Sequence, residues 1–119
     1  MHLVQNGCKV IVEVANMPST NAAVQYFDEN NDKILYAPGK ASNASGVATS
    51  FLEMSQNVSL ESWLFEKVEN KICDIMYGIF TNSFETAKKY GDERNISMGA
   101  NIYSFERLVE GVNNQGIIS

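Results

Sequence analysis

Three polar side chains stand where this chain could meet a ligand. Asn16 follows a short β-branched run, Cys8-Lys9-Val10-Ile11-Val12-Glu13-Val14, and Asn43 follows a second apolar run, Ile34-Leu35-Tyr36-Ala37, across a Pro38-Gly39 break. Ser50 lies further on, in a stretch of helical character that runs to about Asn57. On a helix, Asn43, Val47, Ser50 and Met54 fall at i, i+4, i+7 and i+11, which is one face. That face offers two hydrogen-bonding side chains and a small apolar one near a helix N-terminus. Such an end carries unpaired N–H groups and partial positive charge, which suits a carboxylate or a phosphate. The residues alone leave a plainer reading open. Ser42 or Asn43 can be an ordinary N-cap, the small residues can serve close helix packing, and both asparagines can stabilise turns.

The elements that must position these groups follow from pattern. Residues 8–14 and 34–37 are short, apolar and β-branched, as buried strands are. Between them, Ser19 or Thr20 can cap a helix to about Glu29 with Ala23, Val24 and Phe27 on its apolar side. Strand, helix and strand form a βαβ crossover with parallel strands and a right-handed connection. Asn16 and Asn43 then share the carboxyl edge of the sheet, where ligands sit in α/β folds. Leu3 and Val4 can end a helix closed by Asn6-Gly7. After Ser42 the chain reads as helical. The helix that bears Ser50 stops at Val58-Ser59-Leu60. A long helix follows, capped by Ser62 and ended by Gly91, with Leu64, Val68, Ile72, Ile75, Ile79 and Phe80 on one side; it would span about 40 Å. The loop Asp92-Glu93-Arg94-Asn95 leads to a last helix with Ile102, Phe105, Leu108, Val109 and Val112 on its apolar side. No repeats appear.

Composition sets the limits. At 119 residues, with 45% hydrophobic and 19% charged residues, the chain is one domain's worth of soluble globular sequence. A net charge of −5 argues against a nucleic-acid or anionic-membrane surface. No apolar run approaches the ~20 residues of a membrane span, and the first residues do not read as a signal peptide. Cys8 and Cys73 are far apart without CxxC spacing, so free thiols and a cytoplasmic location are expected, with an organelle as the other option. With His2 as the one histidine, no metal site is expected. The Asn-x-Ser strings at Asn43, Asn57 and Asn95 are read as chance.

The strings Ala15-Asn16-Met17-Pro18-Ser19-Thr20, Ala37-Pro38-Gly39-Lys40-Ala41, Asn43-Ala44, Gly46-Val47-Ala48-Thr49-Ser50, Leu52-Glu53-Met54 and Gln56-Asn57 resemble, in order, the C-terminal part of hexameric glutamate dehydrogenases. Gly99-Ala100-Asn101-Ile102, expected before an amphipathic helix, and the ending Gln115-Gly116-Ile117 look like that family too. The resemblance implies reversible oxidative deamination of L-glutamate to 2-oxoglutarate and ammonium, with hydride passing to NAD or NADP, in a homo-oligomer that is a hexamer. It implies that Asn16 lies against the nicotinamide ribose and that Asn43 lies near nicotinamide and substrate. Gly46, Val47 and Ser50 match the segment that lines the glutamate pocket, the serine bonding the side-chain carboxylate and the valine packing on the methylenes.

In the family the catalytic lysine and its partner aspartate lie in an N-terminal domain, so no catalytic residue is assigned in this chain. Lys40 is read as a loop residue and Glu53 as a helix residue with a local salt bridge. The expected fold is α/β, the end of a doubly wound Rossmann-like parallel sheet followed by C-terminal helices. Residues 1–43 would be the last strands of the dinucleotide-binding domain, and residues 44–119 a helical segment with the pocket helix, long helix and terminal helix. Two strands alone leave sheet edges and a flank open. Val14, Ser45, Tyr103 and Ser104 depart from the family's small residues. Two other readings are a leucine, phenylalanine or valine dehydrogenase and a non-catalytic fragment acting as an interaction module. Ser50 favours glutamate, because an apolar substrate offers its hydroxyl no partner.

Overall fold

The computed structural model describes residues 2–116; the expected Ile117 of the family-like ending lies outside the described residues. The order of elements is α1 (His2–Gln5), β1 (Val10–Val12), α2 (Asn21–Glu29), β2 (Leu35–Ala37), α3 (Gly39–Ser42), α4 (Ala44–Ser59), α5 (Phe65–Lys89) and α6 (Ile96–Gln115). The fold is mixed α/β and mostly helical, and β1 and β2 pair in parallel with Ile11 opposite Tyr36. Both strands are shorter than their apolar runs, because with one neighbour each the ladder ends where pairing ends.

The small core lies on one face of this sheet. Ile34 is 0% exposed, and Phe27 and Tyr36 pack beside it with ring centroids 5.2 Å apart. Ile11, Val24 and Val4 close the cluster. Thr20, the expected cap, opens α2 by accepting the Ala23 N–H through Oγ1 at 3.3 Å. On the other face Val10, Val12 and Val14 are exposed. The open flank expected of a two-stranded piece is therefore present.

The helices differ from expectation in three places. Ser62 does not cap α5; Leu64 holds that position in an extended conformation without a side-chain cap, and Trp63 Nε1 donates instead to Glu61 Oε2 at 2.7 Å. At 25 residues α5 spans about 37 Å. Second, Gly99 and Ala100 do not precede the last helix. Asn95 caps it by accepting the Met98 N–H at 2.9 Å, which places both in its first turns. Third, Phe105, Leu108, Val109 and Val112 are exposed, while Ile96, Ser97, Gly99 and Ala100 are buried against Ser83, Thr86 and Ala87 of α5. Small residues win this contact because they let the two backbones approach. A Cβ on Gly99 would stand 2.0 Å from the Ser83 carbonyl oxygen.

Two loops are tied across the molecule. Asn31 Nδ2 donates to Asp92 Oδ2 at 2.7 Å, and Arg94 Nε donates to the Asn31 carbonyl. These bonds hold the α2–β2 turn against the α5–α6 connection. Cys8 and Cys73 are free thiols. No described helix is long and apolar enough to cross a membrane.

Candidate functional site

The carboxyl ends of β1 and β2 build the site. After β1 the chain turns through Asn16 and Met17, where Met17 takes a left-handed φ of 47°. After β2, Pro38 caps the single turn α3, and Asn43 forms the joint between α3 and α4. The two joints meet: Asn43 Nδ2 donates to Asn16 Oδ1 at 3.2 Å. Asn43 stands at the N-cap position of α4 without a side-chain cap bond, so its amide is spent across the sheet edge and not on its own helix. Among the described residues, the Asn16 amide NH₂ and the Asn43 side-chain carbonyl make no hydrogen bond to protein.

Beneath the asparagines sits a carboxylate that the sequence reading did not assign. Glu13 is 8% exposed. Its Oε2 accepts the Gly39 N–H at 3.2 Å, while Oε1 is enclosed with no partner of hydrogen-bonding geometry. Burial pushes its pKa up, but Ser19, Tyr36 and the Gly39 N–H together favour the ionised form and hold it below the usual value. Burial, then the nearby Glu13 carboxylate, push the Tyr36 hydroxyl well above its ordinary value. Glu13, Asn16, Ser19, Tyr36, Gly39 and Lys40 line one cleft of about 280 Å³. The available signal was period-2 alternation. Ile11 and Glu13 share a strand face with the core, while Val10, Val12 and Val14 occupy the other.

The remaining candidates lie along α4. Gly46 is exposed, with nothing within 4 Å of where a Cβ would be, and its N–H donates to the Asn43 carbonyl at 3.3 Å. Val47 is 77% exposed. Ser50 is exposed, and its hydroxyl donates to the Gly46 carbonyl at 3.3 Å, a bond within the helix that a better acceptor can replace. The structure thus joins Asn16 to Asn43 directly and presents Val47 and Ser50 on open helix surface. Lys40 lies on α3, not in a loop, and its Nζ donates to Asn101 Oδ1. Glu53 is exposed and makes no salt bridge among the described residues, so the expected local ion pair is absent. No cluster of three or more His, Cys, Asp or Glu suited to a metal occurs among the described residues.

Comparison with known proteins supplies the family. The model of the Glutamate/Leucine/Phenylalanine/Valine dehydrogenase family matches residues 1–116. The NADP-specific glutamate dehydrogenase of Helicobacter pylori (strain J99) is 45% identical over 115 residues, covering 97% of this chain and 25% of that protein. The NADP-specific glutamate dehydrogenase of Giardia intestinalis is 46% identical over 116 residues, with 98% and 25% covered. Among solved structures, a glutamate dehydrogenase superposes with a TM-score of 0.91 at 39% identity, covering 98% of this chain and 26% of that one. The Plasmodium falciparum glutamate dehydrogenase also gives 0.91, at 44% identity, with 98% and 25% covered. The chain therefore spans about a quarter of the length of the curated relatives it matches. With nearly every residue matched and the fold shared, this chain belongs to the Glutamate/Leucine/Phenylalanine/Valine dehydrogenase family.

Proposed function

We propose that this chain is part of a glutamate dehydrogenase, which converts L-glutamate and water to 2-oxoglutarate and ammonium while NAD or NADP takes the hydride. The observation that carries the reading is the Asn16–Asn43 pair at the carboxyl edge of two parallel strands. The pair presents one amide donor and one carbonyl acceptor, a set that fits the hydroxyls of a ribose or the carboxamide of a nicotinamide. A bound dinucleotide would supply the hydride acceptor. Asn16 would hold its ribose, and Asn43 would orient nicotinamide and substrate. Gly46, Val47 and Ser50 would form one pocket wall, Ser50 donating to the side-chain carboxylate and Val47 covering the methylenes. The names of the relatives favour NADP. No proton-transfer residue is assigned to this quarter of the enzyme.

Finer placement is also part of the proposal. β1 and β2 are read as end strands of a doubly wound sheet, which the partly uncovered Val10, Val12 and Val14 support. Residues 1–43 then belong to the dinucleotide-binding domain and residues 44–119 to a helical segment. The order of the matching strings, from Ala15-Asn16-Met17-Pro18 to Gly99-Ala100-Asn101-Ile102, supports the C-terminal portion of a hexameric enzyme; the position of this stretch in the complete gene tests it.

The test of function is Ser50→Ala in the complete enzyme. A hydroxyl donor to a buried carboxylate is worth about 1.5–3 kcal/mol, so the glutamate KM should rise roughly ten- to a hundred-fold, mainly without loss of kcat. Unchanged glutamate kinetics would remove Ser50 from the pocket. A preference for leucine over glutamate in the unsubstituted enzyme would overturn the substrate.

A further inference from the structure

We propose that Glu13 is a positioning residue that holds the Asn16–Asn43 pair in place through α3, an inference that rests on the function proposed above. A four-residue turn such as α3 has too few internal bonds to fix itself. It is gripped at both ends by one residue, the first after β1. At its first residue, the Gly39 N–H donates to Glu13 Oε2 at 3.2 Å. At its last, the Ser42 hydroxyl reaches the Glu13 carbonyl, sharing its proton with the Pro38 carbonyl at 3.0 Å. The Glu13 N–H in turn donates to the Ala37 carbonyl at 3.0 Å, so the gripping residue is fixed by the sheet.

The seat leaves no slack. A Cβ on Gly39 would meet the Ala15 carbonyl oxygen at 2.7 Å, and Glu13 Cβ and Asn43 Nδ2 each at 3.6 Å. The Asn43 N–H donates to the Gly39 carbonyl at 2.8 Å, and its side chain then reaches Asn16. The line of support runs from Glu13 through Gly39 to Asn43 and Asn16. Packing alone does not account for an acid at this point, because an apolar side chain would fill the space without the cost of desolvating a carboxylate. A charged acceptor makes the stronger bond to an N–H.

The experiment measures dinucleotide affinity by calorimetry on the complete enzyme, without substrate. Glu13→Gln should weaken binding about five- to ten-fold, the exchange of a charged for a neutral acceptor of the Gly39 N–H. Ser42→Ala, which leaves the carboxylate intact, should weaken it in the same direction by roughly three-fold. In an Asn43→Ala background, Glu13→Gln should cost less than about two-fold, because the group it positions is gone. A purely structural role would lower the thermal midpoint and leave the two losses multiplicative. Multiplicative losses, or wild-type affinity in Glu13→Gln, overturn the proposal. Should Glu13→Gln not assemble, the Ser42→Ala and Asn43→Ala cycle decides by the same rule. Wild-type affinity in both Asn16→Ala and Asn43→Ala would overturn the site itself, and this inference with it. Weakened binding in those two with none in Glu13→Gln overturns this inference alone.

Discussion

Three glycines in the α5–α6 pair give one substitution with two opposite outcomes. Gly78 of α5 and Gly111 of α6 have nothing within 4 Å of a built Cβ, whereas at Gly99 that atom would meet Ser83 O at 2.0 Å, Ala87 Cβ at 2.9 Å and Ala87 N at 3.0 Å. In a helix interior, alanine is favoured over glycine by about 0.5–1 kcal/mol because the unfolded chain loses less entropy. Gly78→Ala and Gly111→Ala should therefore each stabilise their helix by that amount. Gly99→Ala has the same gain, set against an overlap of about an ångström with the Ser83 carbonyl oxygen, a backbone atom of α5 that has no rotamer to move into. Overpacking costs of about 3 kcal/mol at the upper end leave Gly99→Ala destabilised by about 2 kcal/mol net. Hydrogen exchange of the α5 and α6 amides reads this locally and requires no two-state unfolding of the whole chain. Exchange near the crossing should quicken about 30-fold in Gly99→Ala and slow about two- to five-fold near Gly78→Ala and Gly111→Ala. Slower exchange in Gly99→Ala would refute the close approach of α5 and α6.

Ile34→Ala removes the most enclosed side chain of the core and should cost about 2–5 kcal/mol, measured as the shift in urea midpoint at constant slope; a loss under ~1 kcal/mol would mean the sheet face is not packed as described. Acid stability tests Glu13. Its pKa is lowered in the folded chain from an ordinary 4.5, so its contribution is complete above that value and is lost as pH falls through the lowered one. Helical signal followed downward from pH 4.5 should therefore decline more steeply in the unsubstituted chain than in Glu13→Gln, and equal slopes would contradict an ionised buried carboxylate.

The sheet edge was legible because its signals are local. Two β-branched runs, a ten-residue helix pattern between them and a Pro-Gly break placed Asn16 and Asn43 on one edge, and the 3.2 Å contact between them follows from that topology. The α4 face of Val47 and Ser50 was legible as spacing, but nothing among the described residues closes over it. Helix packing was not legible from apolar periodicity. Phe105, Leu108, Val109 and Val112 form the obvious stripe of α6, yet the buried contact uses Ser97, Gly99 and Ala100, since backbone approach and not side-chain hydrophobicity sets that crossing. Ser62 was a false cap because a hydroxyl marks only a possible start, and here the chain stays extended through Leu64. Glu13 went unassigned because an acid inside an apolar run reads as an interruption. Its role depends on a glycine 26 residues later, a pairing that only the fold brings about.

The parallel pairing of β1 with β2 has a consequence for the order in which this piece takes shape. The α5–α6 hairpin joins residues 17 to 21 apart in sequence, as Lys89 with Glu106 and Asn82 with Tyr103, across one short connection. β1 and β2 meet only after the intervening chain and α2 have closed a loop, which is slower and cannot be partly rewarded by a two-residue turn. Glu13 finds Gly39, and Asn43 finds Asn16, only once that loop is shut. The asparagine pair therefore depends on the closed strand–helix–strand unit and not on the formation of any one helix.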